Sequence, residues 1–331
     1  NRIGPGWEVF TVNSVARHQA LAPDVHWPSL NNVYLFGNGK GGVGKTTSAC
    51  HFAAFVAMVG APTLIVDLNG QGNVATLLGF SGTEQDDAGR NLFSAVTAGA
   101  PLTPVKGVRE NLDVVPGGAF VRKIIPVLMG EMATADGMKG AYLSLAVALQ
   151  KISSQYRIII IDSPPENTPL LRLALCAARF VAIPMLTNDL SRTGLFEIAG
   201  DIRDMRELNP YLTLLAVFIF GSDARSAGIR ETFIDEVAGD LGASRDALLT
   251  EFINDDGEPE RIFIRHSEAV ARQMPKYGLL AHELEDAMPG NRKRISKTTM
   301  PLAKDFDNLC RAILTRAQAQ QAKMISEGVW P

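Results

Sequence analysis

From Asn32 onward the chain alternates short runs of aliphatic and aromatic residues with longer stretches whose apolar positions recur every three or four residues. The short runs are Val33–Gly37, Thr63–Leu68, Leu112–Val115, Arg157–Asp162, Phe180–Pro184, Leu214–Phe220 and Arg261–Ile264. Strands alternating with helices predict βαβ units and a largely parallel sheet. Ile158-Ile159-Ile160-Ile161 is apolar without interruption, as expected of a strand covered on both faces. Helices are predicted over Lys45–Val59, Tyr142–Ile152, Leu170–Ala178, Ser191–Leu208, Ile229–Leu241 and Pro301–Gln320. The expected fold class is therefore α/β, a doubly wound, mostly parallel sheet with helices on both faces. Residues 1–30 carry Pro5, Pro23, Pro28 and two tryptophans and show no sustained period. They are expected to form an N-terminal extension wrapped on the body, with one short helix near Val12–Leu21. Residues 31–331 are expected to form one domain without an internal repeat.

Composition narrows the class. With 331 residues, 46% hydrophobic, 20% charged and a formal net charge of −3, the chain has the apolar content to bury a core and is not basic overall. Phe52–Val66 is too short to span a bilayer and is split by Gly60 and Pro62, while Leu170–Leu186 carries Arg172 and Arg179. No membrane span is expected, and the opening residues lack a signal-peptide pattern. Cys50, Cys176 and Cys310 are widely spaced, which predicts buried free thiols in a reducing, cytoplasmic compartment rather than disulfides or a metal cluster.

The decisive string is Gly39-Lys40-Gly41-Gly42-Val43-Gly44-Lys45-Thr46-Thr47, which satisfies GxxxxGK[ST] between an apolar strand and a helix. Backbone N–H groups can ring a phosphate only where no Cβ intervenes and unusual φ angles are allowed, hence the glycines. The helix that follows points its partially positive end at the same anion. Lys45 would reach the β- and γ-phosphates of ATP, and the Thr46 hydroxyl would ligate Mg²⁺.

The string KGGVGKTT resembles the deviant Walker A motif of the ParA/MinD family of partition and positioning ATPases, within the P-loop NTPases. The resemblance implies that Lys40 reaches across a homodimer interface to the partner's nucleotide, so that the active form is a nucleotide-sandwich dimer. Ile65-Val66-Asp67-Leu68-Asn69-Gly70-Gln71-Gly72-Asn73 resembles the family's second acidic motif, DxDPQGN, and Arg157–Pro165 resembles its Walker B strand. Asp162, at a strand end, is placed to hold Mg²⁺ through water, with Asp67 at another strand end beside it. Phe220–Arg225 and Ile264–Gly278 resemble the family's later strand-end segment and the stretch near its adenine pocket, so the likeness covers about residues 32–318.

One position departs from the pattern. Asn69 stands where the family has a second acid that orients or activates the attacking water, and Gly70 replaces the usual proline. An amide keeps the shape but cannot accept a proton. Either a substitution traps the ATP-bound state, or the natural chain hydrolyses slowly by another route; in both cases ATP binding and dimerisation with weak turnover are expected.

Family members act on different surfaces. For non-specific DNA binding the informative stretch is Arg292-Lys293-Arg294-Ile295-Ser296-Lys297, with Arg225, Arg230, Arg265 and Arg272 as extensions of that face. The resemblance implies a centromere-binding or cargo-adaptor partner that stimulates hydrolysis, and a nucleoid-associated location. The alternative is a MinD-like membrane-cycling or regulatory ATPase. Residues 311–331 place Ala and Gln where a membrane-binding helix needs large apolar groups, so no membrane partner is expected.

Overall fold

In the computed structural model, residues 25–133, 135–165, 168–254, 256–286 and 296–331 are described. Seven strands form the main sheet: β1 (Val33–Phe36), β2 (Thr63–Asp67), β3 (Val105–Arg109), β4 (Leu112–Val115), β5 (Ile158–Asp162), β6 (Phe180–Met185) and β7 (Thr213–Ile219). Their order is β3-β4-β2-β5-β1-β6-β7, and every pairing is parallel except the antiparallel β3–β4 edge.

Alternate residues of the central strands enter different apolar layers. Val33, Leu35, Leu64, Val66, Ile159 and Ile161 join one cluster, and Tyr34, Phe36, Ile65, Ile158 and Ile160 join the other. This period of two explains why the strands are apolar throughout. The second layer is built on α1 (Lys45–Met58), α2 (Asn73–Leu77) and the C-terminal helices. The first is covered by α3 (Arg90–Ala98), α4 (Ile124–Leu128), α5 (Ala135–Gln150), α6 (Thr168–Ala177), α7 (Asp189–Met205) and α8 (Ala227–Leu241). A small hairpin of β8 (Glu251–Ile253) and β9 (Pro259–Arg261) precedes α9 (Glu268–Tyr277), α10 (Ala281–Asp286) and α11 (Thr299–Ser326).

Helix α1 lies closest to the site. Ala49, Ala53, Ala54 and Ala57 are buried along it and let it approach the sheet, while Phe52 fills the gap against Tyr34 and Phe36. A fully buried ring of that kind contributes about 1.5–3 kcal/mol.

Several expectations shift. The run Arg261–Ile264 is not a main-sheet strand: only Arg261 belongs to β9, and Ile264 then makes two backbone bonds, donating from its N–H to Ile219 O at 2.9 Å and accepting from Ser222 N–H at 3.1 Å. Edge strand β3 was not expected, because its residues are half-exposed and Gly107, at φ +65°, interrupts it. The C-terminal helix is longer than expected at both ends. The expected helix Val12–Leu21 lies outside the described residues. The described end of the extension does pack on the body, through buried Val25, Trp27 and Leu30.

Candidate functional site

The glycine-rich loop spans the gap between Phe36, the last residue of β1, and Lys45, the first of α1. Gly42 and Gly44 take left-handed backbone, with φ of +71° and +89°. Gly44 is doubly constrained, since a Cβ there would lie 2.4 Å from the Phe220 ring. Buried Asn38 pins the start of the loop: its Nδ2 donates to Pro184 O at 2.8 Å and its Oδ1 accepts from the Lys40 N–H at 2.9 Å. The Lys45 ammonium folds back into the loop and donates to Lys40 O.

Lys40 points the other way. Its stem crosses Gly194 of α7, where a Cβ would come within 2.9 Å, and its Nζ pairs with Glu197 Oε2 at 3.2 Å.

Below the loop, adjacent strands β2 and β5 place Asp67 and Asp162 as register partners, both fully buried. Thr46 Oγ1 donates to Asp162 Oδ2 at 2.6 Å. Asp162 Oδ1 is buried and accepts no hydrogen bond from the described residues. Burial pushes its carboxyl up to about 7, against the lowering effects of the Thr46 hydroxyl and the Lys45 charge. Burial also raises Asp67, and the neighbouring Asp162 charge adds to that rise. An orphaned carboxylate oxygen beside a threonine hydroxyl suits a hard, oxygen-seeking cation such as Mg²⁺. Thr46 and Asp162 are the residues that would hold it. Asp67 uses its oxygens differently, accepting from Asn69 N–H at 2.7 Å and Val74 N–H at 3.1 Å. It shapes the following loop.

Asn69 lines a cavity beside the phosphate loop, together with Lys45 and Thr46. Its Oδ1 accepts from the Gln71 N–H at 2.9 Å, which fixes the orientation of the amide. The other end of the group is then Nδ2, a donor, where an aspartate would offer a second acceptor.

The cavity beside the phosphate loop has a volume of about 400 Å³ and is walled by Phe220, Ile264, His266, Met274, Pro275 and Leu302. A slot of that size with apolar walls and a polar, glycine-rich end suits a flat base attached to a polyphosphate. Arg265 fastens one wall to α11, donating from its N–H, Nε and Nη2 to the Asp305 carboxylate at 3.0, 2.6 and 2.8 Å. Phe220–Gly221 and Ile264–Pro275, singled out in the sequence, thus meet at one wall.

Two site residues escape sequence reasoning. Asn38 acts through a carbonyl 146 positions away. Gly117 matters because a Cβ there would fall 2.5 Å from Asp67 Cγ. The paired glycines Gly117-Gly118 after β4 were the available signal.

The expected DNA face is only partly visible. Arg292, Lys293 and Arg294 lie outside the described residues. Lys297 and Arg225 are exposed. Arg230 is not a surface residue: it is buried, donates to Asp223 O at 2.6 Å, and lies 3.9 Å over the Phe263 ring. Arg265 is committed to Asp305, and Arg272 to Glu268. The three cysteines are buried free thiols. Among the described residues, no helix is long and apolar enough to cross a membrane.

Residues 31–214 match the AAA domain family. The chain is 31% identical over 216 residues to the chromosome partitioning protein ParA of Myxococcus xanthus, covering 64% of this chain and 72% of that protein. It is 32% identical over 190 residues to the chromosome-partitioning ATPase Soj of Thermus thermophilus, covering 57% and 69%. Two structures of McdA from Cyanothece, one a variant in complex with ATP, share its fold with TM-scores of 0.64 and 0.63 at 20% and 19% identity. Those matches cover 85% of this chain and 99% and 96% of the McdA chains.

Proposed function

The chain belongs to the ParA family of partitioning ATPases, and we propose that it is an ATP-dependent dimerising switch that binds DNA without sequence preference and drives partition of a replicon or positioning of a cargo. The observation that carries this reading is the Thr46–Asp162 bridge, with its orphaned carboxylate oxygen, at the foot of the phosphate loop.

In the proposed cycle, the amides of residues 39–47 and the α1 N-terminus cradle the phosphates of ATP. Lys45 swings from Lys40 O to the β- and γ-phosphates, and the apolar slot takes the base. Thr46 and Asp162 would hold Mg²⁺, whose charge would offset the negative charge that develops in phosphoryl transfer. Lys40 leaves Glu197 and reaches the nucleotide of a second copy. An exposed ion pair of this kind is worth about 0–1 kcal/mol, so the release costs little. Asn69 orients water through a donor but takes no proton from it, and turnover is therefore slow.

DNA attachment is assigned to Arg292, Lys293, Arg294, Lys297 and Arg225, whose number doubles on dimerisation. A partner protein of the centromere-binding or adaptor kind would stimulate hydrolysis, and the cycle would run in the cytoplasm on the nucleoid. The membrane-cycling alternative finds less support. Leu302, Phe306, Leu309 and Ile313 of α11 are buried in the core, and Trp330 stacks on Arg179 at 4.3 Å.

The test is sedimentation and DNA retention of the full chain with Mg-ATP and with Mg-ADP. Dimers that hold DNA only with Mg-ATP, and lose it in Arg292/Lys293/Arg294→Ala, are expected. Absence of DNA retention with Mg-ATP at low salt would overturn the reading.

A further inference from the structure

The loop that carries Asn69 is flexible by sequence, since Gly70 and Gly72 flank Gln71. Its own hydrogen bonds turn inward, to Asp67, to the Asn69 side chain and, from Gly72 N–H, to Asn69 O at 3.1 Å. From outside it is gripped by a strap that follows β4, residues 116–123. Gly118 N–H donates to Asn69 O at 2.9 Å, and Arg122 Nε donates to Gly70 O at 3.0 Å. Two successive carbonyls are thus held from one segment. The contact is close as well as polar, because a Cβ on Gly70 would fall 2.5 Å from Arg122 Cγ and 2.8 Å from Arg122 Nε. Only glycine at position 70 lets the arginine stem lie there.

The strap is itself anchored. Gly117 packs against Asp67, Phe120 N–H donates to Ala88 O at 3.0 Å, and the Phe120 ring lies beneath the cations of Arg90 and Lys123 at 5.0 and 4.5 Å. Arg122 therefore reaches the loop from a fixed base, although its own side chain is exposed. It touches neither the phosphate loop nor the carboxylate pair in any contact described, so its role is to hold another residue in place.

We propose that Arg122 is a positioning residue for Asn69: it clamps the loop from outside and so sets how well the site distinguishes ATP from ADP. The proposal rests on the reading of the cavity as a Mg-nucleotide site. With the clamp in place, the Asn69 amide is fixed toward the terminal phosphate at no further ordering cost on binding. Without it, Gly70 loses its outside anchor, and a nucleotide with a terminal phosphate must complete the ordering of a glycine-flanked loop held by Gly118 and its inward bonds.

Calorimetric titration of the full chain with Mg-ATP and with Mg-ADP tests this. Arg122→Ala is expected to lower the ATP-to-ADP affinity ratio about fivefold, the scale of one lost hydrogen bond, with the nucleotide-free chain melting no more than about 2–4 °C lower. Arg122→Lys should recover part of the ratio. Gly70→Ala, whose methyl displaces the arginine, should lower it to a similar degree, and the double variant should be no worse than either single one. An unchanged ratio in Arg122→Ala, or two independent effects that multiply, would overturn the proposal. Failure of the unaltered chain to bind Mg-ATP would instead overturn the nucleotide-site reading beneath it.

Discussion

Asp67 and Asp162 are register partners on neighbouring parallel strands, yet Asp67 gives its oxygens to two backbone N–H groups while Asp162 keeps Oδ1 without a hydrogen bond from the described residues. The two carboxylates are thus used differently, one shaping the Asn69 loop and the other carrying the oxygen assigned to a cation in the proposed site.

Asp162→Asn separates binding from stability. It removes the anionic acceptor, so Mg-ATP affinity should fall by at least about tenfold. It also removes a carboxylate that burial disfavours in its charged form, so the nucleotide-free chain in a chelator should melt higher at pH 8 than the unaltered one. Calorimetry measures both, and an unchanged Mg-ATP affinity would count against the cation site.

Asn69→Asp restores an acceptor where the amide now presents Nδ2. Steady-state phosphate release should rise by about a hundredfold, the modest end of what a positioned general base contributes. Equal rates in the two chains would show that residue 69 does not limit turnover.

Gly44→Ala meets two penalties. A residue with a Cβ held at φ +89° costs about 1–2 kcal/mol in the left-handed region, and the new methyl overlaps the Phe220 ring. The variant should melt several degrees lower and lose nucleotide binding. Titration with Mg-ATP checks this, and retained affinity would remove the glycine from the phosphate cradle.

Stability should fall as the medium is acidified, through His51. Its Nδ1 donates to Thr47 O at 2.8 Å and its Nε2 accepts from Ala281 N–H at 3.1 Å, so the folded state requires the neutral ring. Burial lowers its pKa from 6.5 to about 3, reinforced by the His282 charge and opposed by the Thr47 bond. Between those values the unfolded chain binds the proton and the folded chain does not, so stability present above pH 6.5 is lost as pH falls toward 3. The loss attributable to this ring is on the order of 5 kcal/mol across that window. His51→Gln should show a flatter pH dependence of melting between pH 7 and 5; parallel curves would refute the assignment.

What the sequence made legible follows physical distance along the chain. β1, β2, β5 and β6 are covered on both faces, so their residues are apolar throughout and stand out. β3 lies at an edge, is half polar and carries Gly107, so no such signal marks it. Lys45, Thr46 and the glycines act within one turn of each other, and their spacing alone identifies them. Asn38, Gly117 and Arg122 act on residues brought near only by folding. Arg230 shows the converse: its charge suggested a surface, while its guanidinium lies buried over Phe263.

The strand order also governs when the site can exist. β5 lies between β1 and β2, so the strands bearing the phosphate loop and Asp67 have no shared neighbour until residues 158–162 arrive. Non-local pairing of this kind must await the whole intervening segment. A ribosome-bound chain released only as far as residue 150 therefore carries the loop and Asp67 but no partner for Thr46. On the nucleotide-site reading, ligand can begin to stabilise the nascent protein only after residues 158–162 have emerged.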